Sequence, residues 1–207
     1  MGHVTTNIFL DPIAVGFYSI ATVLSERLWL VSQSAGTVLF PKVSSETNEK
    51  RLNNFTPLVC RNVLLITAIG AILLFVLGRW IITLLFSEKF LNSVLPFKIL
   101  LIGAVTMSGW RVLANDLYGR GKPELNIYIS LASVLLNIIL NILWIPKFGI
   151  AGAAWATSIS YTFAFVVISI VYSKISGNNI CNVNLPHMSD FYFYKDLVGK
   201  ITEGNIS

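Results

Sequence analysis

The sequence predicts an all-α polytopic membrane protein with about five transmembrane helices, and two observations carry this prediction. Of the 207 residues, 55% are hydrophobic and only 12% are charged, whereas ordinary soluble domains carry about 25% charged residues. Five stretches are also mostly apolar over roughly the 20 residues that a helix needs to cross a bilayer. They are residues 14–40, 62–86, 95–117, 125–145 and 150–172.

The first predicted helix, 14–40, carries a polar stripe inside its apolar length. Residues three or four apart share a helix face, and this face holds Ser19, Thr22, Glu26, Trp29, Gln33 and Thr37. Arg27 points about a quarter-turn away from the stripe. A charge near the centre of a spanning helix costs roughly 2.5–3.5 kcal/mol on insertion scales. We therefore expect Glu26, Arg27 and Gln33 to meet a ligand or cavity water, with a structural ion pair to another helix as the alternative.

The third predicted helix, 95–117, presents a comparable face, which holds Ala104, Ser108, Arg111, Asn115 and Tyr118. We expect Arg111 and Asn115 to be binding residues. The alternative for Arg111 is snorkelling, because it lies about two turns from the helix end. Asp116 lies closer to that end and is expected to be solvated, and the following segment 118–123 is expected to be a short basic turn.

The fourth predicted helix, 125–145, has its polar residues on a single face. Asn126, Ser130, Ser133, Asn137 and Asn141 are separated by four, three, four and four residues. Polar groups in hydrocarbon need partners or water, so this face is expected to point into the bundle. It would serve either as interhelical hydrogen-bonding contacts or as a cavity lining in which Asn137 and Asn141 bind substrate.

The fourth and fifth predicted helices are expected to form a hairpin at a membrane surface. Pro146 cannot continue a helix, and Gly149 permits a tight turn. Gly152 and Ala156 lie four residues apart, which predicts close approach to the preceding helix backbone. Ile168 is expected to face lipid.

Several segments resemble one known family. The run 146–161 (PKFGIAGAAWATSISY), preceded by Asn137 and Asn141, resembles the last helix pair of bacterial polysaccharide flippases. These are the Wzx-type O-antigen and teichuronic-acid exporters of the multidrug/oligosaccharidyl-lipid/polysaccharide exporter superfamily. The segments 15–21 (VGFYSIA), 25–29 (SERLW) and 36–45 (GTVLFPKVSS) resemble the eighth helix of that family and its exit. The resemblance covers roughly residues 8–177.

This resemblance implies an organisation and a function. The bundle 1–177 would be the C-terminal lobe, helices eight to twelve, of a twelve-helix transporter whose N-terminal lobe is missing here. Residues 178–207 would form a cytoplasmic tail. The transporter would flip an undecaprenyl-pyrophosphate-linked oligosaccharide across the bacterial cytoplasmic membrane among membrane lipids, without a cofactor. The candidate residues suit such a solute, because arginine pairs bidentately with phosphate and amides hydrogen-bond sugar hydroxyls.

Other functional classes are less favoured by the sequence. The sequence shows no nucleophile–base arrangement and no metal-ligand spacing, so we expect a transporter and not an enzyme. The excess of basic over acidic residues, 15 against 10, lies mostly in loops, which favours an anionic membrane surface over nucleic acid. Two alternatives stay open: a multidrug or cation antiporter of the same superfamily, and a non-transporting membrane partner protein.

Loop charges predict the orientation, since cytoplasmic loops carry excess Lys and Arg. One side holds Lys42, Lys50, Arg51, Arg61, Arg120, Lys122 and Lys174, and the other holds Arg79, Lys89, Lys98 and Lys147. The first group is expected to be cytoplasmic, which places the C-terminus inside and the N-terminus outside. This arrangement favours a fragment of a longer transporter over a small five-helix protein.

Overall fold

The computed structural model describes residues 11–46 and 48–184, and the regular structure in these residues is helical. In chain order the elements are α1 (Pro12–Glu26), α2 (Trp29–Ser45), α3 (Glu49–Phe86), a 3₁₀ helix (Glu88–Ser93), α4 (Val94–Gly119), α5 (Pro123–Ser176) and α6 (Ile180–Asn184). Three helical stretches of the described chain are long and apolar enough to cross a membrane, and the bent pair α1–α2 is a fourth candidate. The predicted fold class, an all-α polytopic membrane protein, is confirmed.

The first predicted helix is bent by 44° between α1 and α2. At the bend, the Arg27 and Leu28 amides donate to carbonyls only three residues back, at 3.4 and 3.3 Å, which is the tighter 3₁₀ pattern. On either side, the Ser25 and Ser32 hydroxyls donate to backbone carbonyls of their own helix at 3.0 and 2.9 Å. Such back-bonding by serine often bends helices. The bend places Glu26 and Arg27 at a helix junction.

Helix α5 is two helices that meet at Gly149, here called α5a (123–148) and α5b (150–176). Gly149 has φ 56° and ψ −135°, outside the helical region, and a positive φ of this kind favours glycine. The predicted break at Pro146 is wrong, because α5a continues through Pro146. A proline in the last turn of a helix loses one hydrogen bond but keeps a helical φ.

The two halves of α5 pack as the predicted antiparallel hairpin. The Ser133 hydroxyl donates to the Ser160 carbonyl at 2.8 Å. A Cβ on Gly152 would lie 2.5 Å from the Trp144 carbonyl oxygen. The two backbones therefore meet at Gly152, as its spacing to Ala156 predicted.

Helix α4 is central to the bundle and packs against α1, α2, α3 and α5. In the most apolar stretch of the 88–119 segment 44% of residues are buried, against 17% in the corresponding stretch of α3 and 22% in that of α5. Two apolar cores lie along this helix. One surrounds Phe97 and Leu100 and includes Tyr18 and Ile82. The other surrounds Leu113 and Leu117 and includes Leu39, Val63 and Tyr172.

The outer faces of α3 and α5a are apolar and exposed. On α3 they include Ile72, Leu73 and Val76, which are 64%, 57% and 68% exposed. Apolar surface of this extent suits contact with lipid chains. The lipid-facing prediction for Ile168 is wrong, because that side chain is fully buried in the core around Leu113.

The segment after Gly177 begins with α6, whose Val183 is buried against the same core. The Arg61 guanidinium, from α3, donates to the Asn182 carbonyl. The first residues of the predicted tail therefore pack on the bundle. Residues 185–207 lie outside the described residues, and the cytoplasmic location of the tail stays a prediction.

Candidate functional site

An open cleft of about 710 Å³ lies between α2 and the second half of α4. The α2 wall consists of Ser32, Gln33, Gly36, Thr37, Phe40 and Pro41, and the α4 wall consists of Trp110, Arg111, Ala114, Asn115 and Tyr118. Both helices follow the i, i+3, i+4 spacing of a single face. Parts of the polar faces predicted for the first and third helices thus meet here, and they bring together three predicted site residues: Gln33, Arg111 and Asn115.

Arg111 is the cation of this cleft, and aromatic side chains hold it in place. Its guanidinium carbon lies 4.4 Å from the centre of the Trp29 ring, and the Trp29 ring packs edge-on against Tyr161 of α5b at 6.0 Å. Glu26 and Tyr161 are close enough to act electrostatically on Arg111. The Arg111 Nε is buried and has no hydrogen-bond partner in the described part of the chain.

Asn115 lies one turn further along α4 and is packed against Gly36. A Cβ on Gly36 would overlap the amide nitrogen of Asn115, so glycine makes room for this side chain. Gln33 lies across the cleft on α2 and is exposed. The cleft therefore offers one guanidinium, two amides and the hydroxyls of Thr37 and Tyr118.

The other predicted site residues lie outside the cleft lining. Glu26 is half-buried at the end of α1, and Arg27 beside it is exposed. Asn137 and Asn141 are buried on the inner face of α5a, where the Asn141 amide donates to the Asn137 oxygen at 2.9 Å. Asn141 Oδ1 has no hydrogen-bond partner among the described residues. A role in substrate binding stays a prediction for all seven candidate residues.

A buried polar network at the far end of α4 was missed by the sequence analysis. Asp116 is fully buried, so the expectation that it is solvated is wrong. It accepts a hydrogen bond from the Thr56 hydroxyl at 2.6 Å and pairs with Arg120 at 2.5 Å. Arg120 also donates to the Asn53 oxygen at 2.9 Å. The only available signal was the i, i+4 spacing of Asp116 and Arg120, which is common on solvated helices as well.

Polar side chains along α5 complete the interior. Asn126 donates to the Ala114 carbonyl at 3.0 Å, and Ser158 donates to the Ile99 carbonyl at 2.8 Å. Together with Ser133, these residues join α5 to α4 and α5a to α5b. The predicted inward face of the fourth helix is confirmed, and Asn126 and Ser133 act there as interhelical contacts.

The family follows from a comparison with known proteins. Residues 9–195 match the family model described as lipid II flippase MurJ. The chain belongs to this family. The sequence resemblance therefore identified the right group of glycan-lipid flippases, although the matching family model is that of the lipid II flippases.

Individual relatives agree with membership in the family. The chain is 32% identical over 93% of its length to the probable low-salt glycan biosynthesis flippase of Haloferax volcanii. It is 31% identical over 81% of its length to an uncharacterized membrane protein of Methanocaldococcus jannaschii. It is also 27% identical over 70% of its length to a capsular polysaccharide biosynthesis protein of Staphylococcus aureus. The matched regions span only 43%, 35% and 38% of these relatives.

Proposed function

We propose that this chain is part of a transporter, and not an enzyme, that flips a lipid-linked oligosaccharide across a membrane. The observation that carries the proposal is the cleft between α2 and α4, in which Arg111 and Asn115 line one wall and Gln33 lines the other. Family membership supports the transport of a lipid-linked glycan. The names of the relatives from H. volcanii and S. aureus favour an oligosaccharide as the cargo.

In this proposal Arg111 binds the pyrophosphate of the carrier lipid. The Trp29 ring covers one face of the guanidinium at 4.4 Å, and this stacking keeps the planar fork in a fixed orientation. Arg111 lines the open cleft, so an anion there would meet the edge formed by the terminal guanidinium nitrogens, whereas the Nε is buried. A phosphate is the anion that this planar edge binds bidentately.

The amides and hydroxyls of the cleft would bind the sugars. Gln33 and Asn115 each carry two donors and an acceptor oxygen, which match sugar hydroxyl groups. The cleft is open, so a polyprenyl chain can remain in the surrounding lipid while the head group enters. The lining residues include Arg111 and no carboxylate, and Glu26, which acts electrostatically on Arg111, lies outside that lining. A cationic lining favours an anionic cargo over the cation of the antiporter alternative.

Finer features of the cargo and its transporter are also proposals. The carrier would be undecaprenyl pyrophosphate, as in the Wzx-type exporters that the sequence resembles. Because the matched regions span less than half of the relatives' length, a second lobe would supply the opposite wall of the cleft. In a bacterial cytoplasmic membrane the end that carries Arg51 and Lys122 would face the cytoplasm.

Lipid binding to the purified chain tests the proposal. Tryptophan fluorescence is recorded while a short-chain polyprenyl pyrophosphate or the matching polyprenol is added in detergent. Trp29 reports on the site, because its ring contacts Arg111. We expect Arg111→Ala to weaken binding of the pyrophosphate about 10–100-fold, which is the change in affinity expected when a hydrogen bond to a charged group is lost. Arg111→Lys should lose less, since the charge remains without the fork.

Arg79→Ala is the matched control, because Arg79 is an exposed arginine on α3 outside the cleft. It should bind like the parent. Equal affinity of the parent and Arg111→Ala for the pyrophosphate would contradict the proposed role of the cleft. Equal affinity of the parent for the pyrophosphate and the polyprenol would contradict anion recognition.

A further inference from the structure

A second concave surface lies between α3 and the first half of α4. It is a groove of about 380 Å³, whose lining is Ala68, Ala71, Ile72 and Phe75 from α3 and Lys98, Leu101, Ile102, Val105 and Thr106 from α4. The α3 residues and the α4 residues each follow helical spacing, so the groove runs parallel to both helix axes. Ala68 and Ala71 are small, and this leaves the space between the two helices.

Lys98 lies at one end of this groove. Its amine is 4.5 Å from the centre of the Phe75 ring, so Lys98 and Phe75 lie at the same depth. The helices are antiparallel, because Gly78 faces Phe97 and Gly109 faces Leu64. From this level the groove extends along α3 to Ala68, which corresponds to about 10 Å at the helical rise of 1.5 Å per residue.

The level of Lys98 is close to a membrane surface. Arg79 and Trp80 lie one turn beyond Phe75 on α3, and both are exposed; Trp80 is 77% exposed. Such residues anchor helices at the interface between lipid and water. On α4, Lys98 is one turn from the helix start at Val94. A lysine at this depth can extend its amine to the head groups while its methylenes remain in the apolar layer.

The groove is open to lipid. Ile72, Phe75 and Ile102 are 64%, 50% and 53% exposed. Among residues 11–46 and 48–184 Lys98 forms no ion pair, and its amine lies over the ring of Phe75. The groove therefore combines an apolar channel with a cation at its head-group end and no acidic side chain in its lining.

We propose that this groove binds an anionic phospholipid of the bilayer, with the phosphate on Lys98 and one acyl chain along the Ala68–Ala71 side. Charge complementarity identifies the occupant, because a lysine that forms no ion pair within the described residues attracts an anionic phosphate at the edge of the apolar layer. The groove lies on the first half of α4, whereas the Arg111 cleft lies on the second half. The two sites are separate, and lipid in the groove does not require that the cleft binds a glycan carrier.

Lipid retention by the 207-residue chain tests this proposal. The protein is purified in detergent with phosphatidylglycerol or with phosphatidylcholine of identical acyl chains, and bound lipid is counted by native mass spectrometry. We expect the parent to retain phosphatidylglycerol preferentially. Lys98→Gln should reduce that retention about fivefold, the affinity that one lysine near an anionic surface contributes.

Two further variants separate the groove from a general effect of charge. Lys89→Gln removes an exposed lysine from the adjacent 3₁₀ helix, outside the groove lining, and should retain phosphatidylglycerol like the parent. Ala68→Phe fills the deep end of the groove without changing charge, and it should lower retention as well. Equal losses in Lys89→Gln and Lys98→Gln would overturn the proposal, and so would unchanged retention in Lys98→Gln or equal retention of both lipids by the parent.

Discussion

Gly152 is the residue on which the close contact between α5a and α5b depends. A Cβ at this position would lie 2.5 Å from the Trp144 carbonyl oxygen and 3.1 Å from the Phe148 Cβ. The Trp144 carbonyl oxygen belongs to the backbone, so a side-chain rotation cannot relieve this overlap. We expect Gly152→Ala to destabilise the chain by about 1–3 kcal/mol, as overpacking does in other cores. The measurement is thermal unfolding in detergent.

Gly16→Ala is the control for this prediction. Gly16 lies inside α1, and no atom lies within 4 Å of an added Cβ. Alanine exceeds glycine in helix propensity by about 1 kcal/mol, so Gly16→Ala should melt at or above the parent temperature. A Gly152→Ala variant that melts like Gly16→Ala would show that the backbones can separate at no cost.

The burial of a single residue could be predicted from the sequence where the residue differs from its neighbours in polarity or size. Gly152 and the asparagine face of α5a differ from their apolar neighbours, and their inward position followed from spacing. Ile168 was misplaced although Thr157 and Ala164, eleven and four residues earlier, lie on the same side of α5b and mark that side as polar or small. Asp116 was misplaced because its partner Thr56 lies 60 residues earlier in the chain, on α3, as does the Asn53 that accepts from Arg120.

At the scale of helices, the Asp116–Arg120 pair ties the end of α4 to the start of α3. Asp116 is fully buried and the Arg120 side chain is 12% exposed. Removing one member of a buried ion pair leaves the other charge buried without its partner, which typically lowers stability by about 3–5 kcal/mol. We expect Asp116→Asn to lower the free energy of unfolding by about that amount, measured by unfolding in mixed micelles.

The pair between Arg51 and Glu46 provides a comparison of the same chemistry at the surface. Its nitrogen and oxygen are 3.9 Å apart, and the Arg51 side chain is 77% exposed. Exposed pairs contribute about 0–1 kcal/mol, so Glu46→Gln should change stability little. Similar losses in the two variants would mean that the buried network contributes no more than a surface contact.

The bend between α1 and α2 was not predicted, although it decides which residues reach the cleft. Neither proline nor glycine lies at 25–32, and those are the residues that usually mark kinks. The bend instead coincides with the hydrogen bonds that the Ser25 and Ser32 hydroxyls donate to backbone carbonyls. The sequence analysis did not interpret either serine as a cause of bending. After the bend, Gln33 and Gly36 line the cleft, while Arg27 remains exposed outside it.

At the scale of the whole molecule, α4 organises both proposed sites. Its second half forms a wall of the Arg111 cleft, and its first half forms a wall of the lipid groove. The sequence was sufficient for the fold class and for the parts of the polar faces that hold Gln33, Arg111 and Asn115, because 3.6-residue periodicity is a local property. The groove forms only because α3 and α4 pack side by side, and the composition of the two helices does not predict which apolar helices become neighbours.

The orientation of the bundle in the membrane can be tested with the native cysteines. Cys181 is exposed on α6, whereas Cys60 is buried in α3. The Asn178 amide donates to the Asn53 carbonyl at 2.6 Å, so Cys181 lies near the end of the bundle that carries Lys50 and Arg51. Basic loops predict that this end is cytoplasmic. A membrane-impermeant maleimide should therefore label Cys181 in inverted vesicles and leave it unlabelled in intact cells.

The opposite end provides the complementary measurement. Lys147 lies exposed in the last turn of α5a, just before the break at Gly149. In a Cys181→Ser background, Lys147→Cys should be labelled in intact cells, because α5a crosses the membrane between the two ends. Cys60 should stay unlabelled throughout, since its side chain is fully buried. Labelling of Cys181 from outside and of Lys147→Cys from inside would reverse the orientation, and labelling of both from one side would contradict α5a as a membrane-spanning helix.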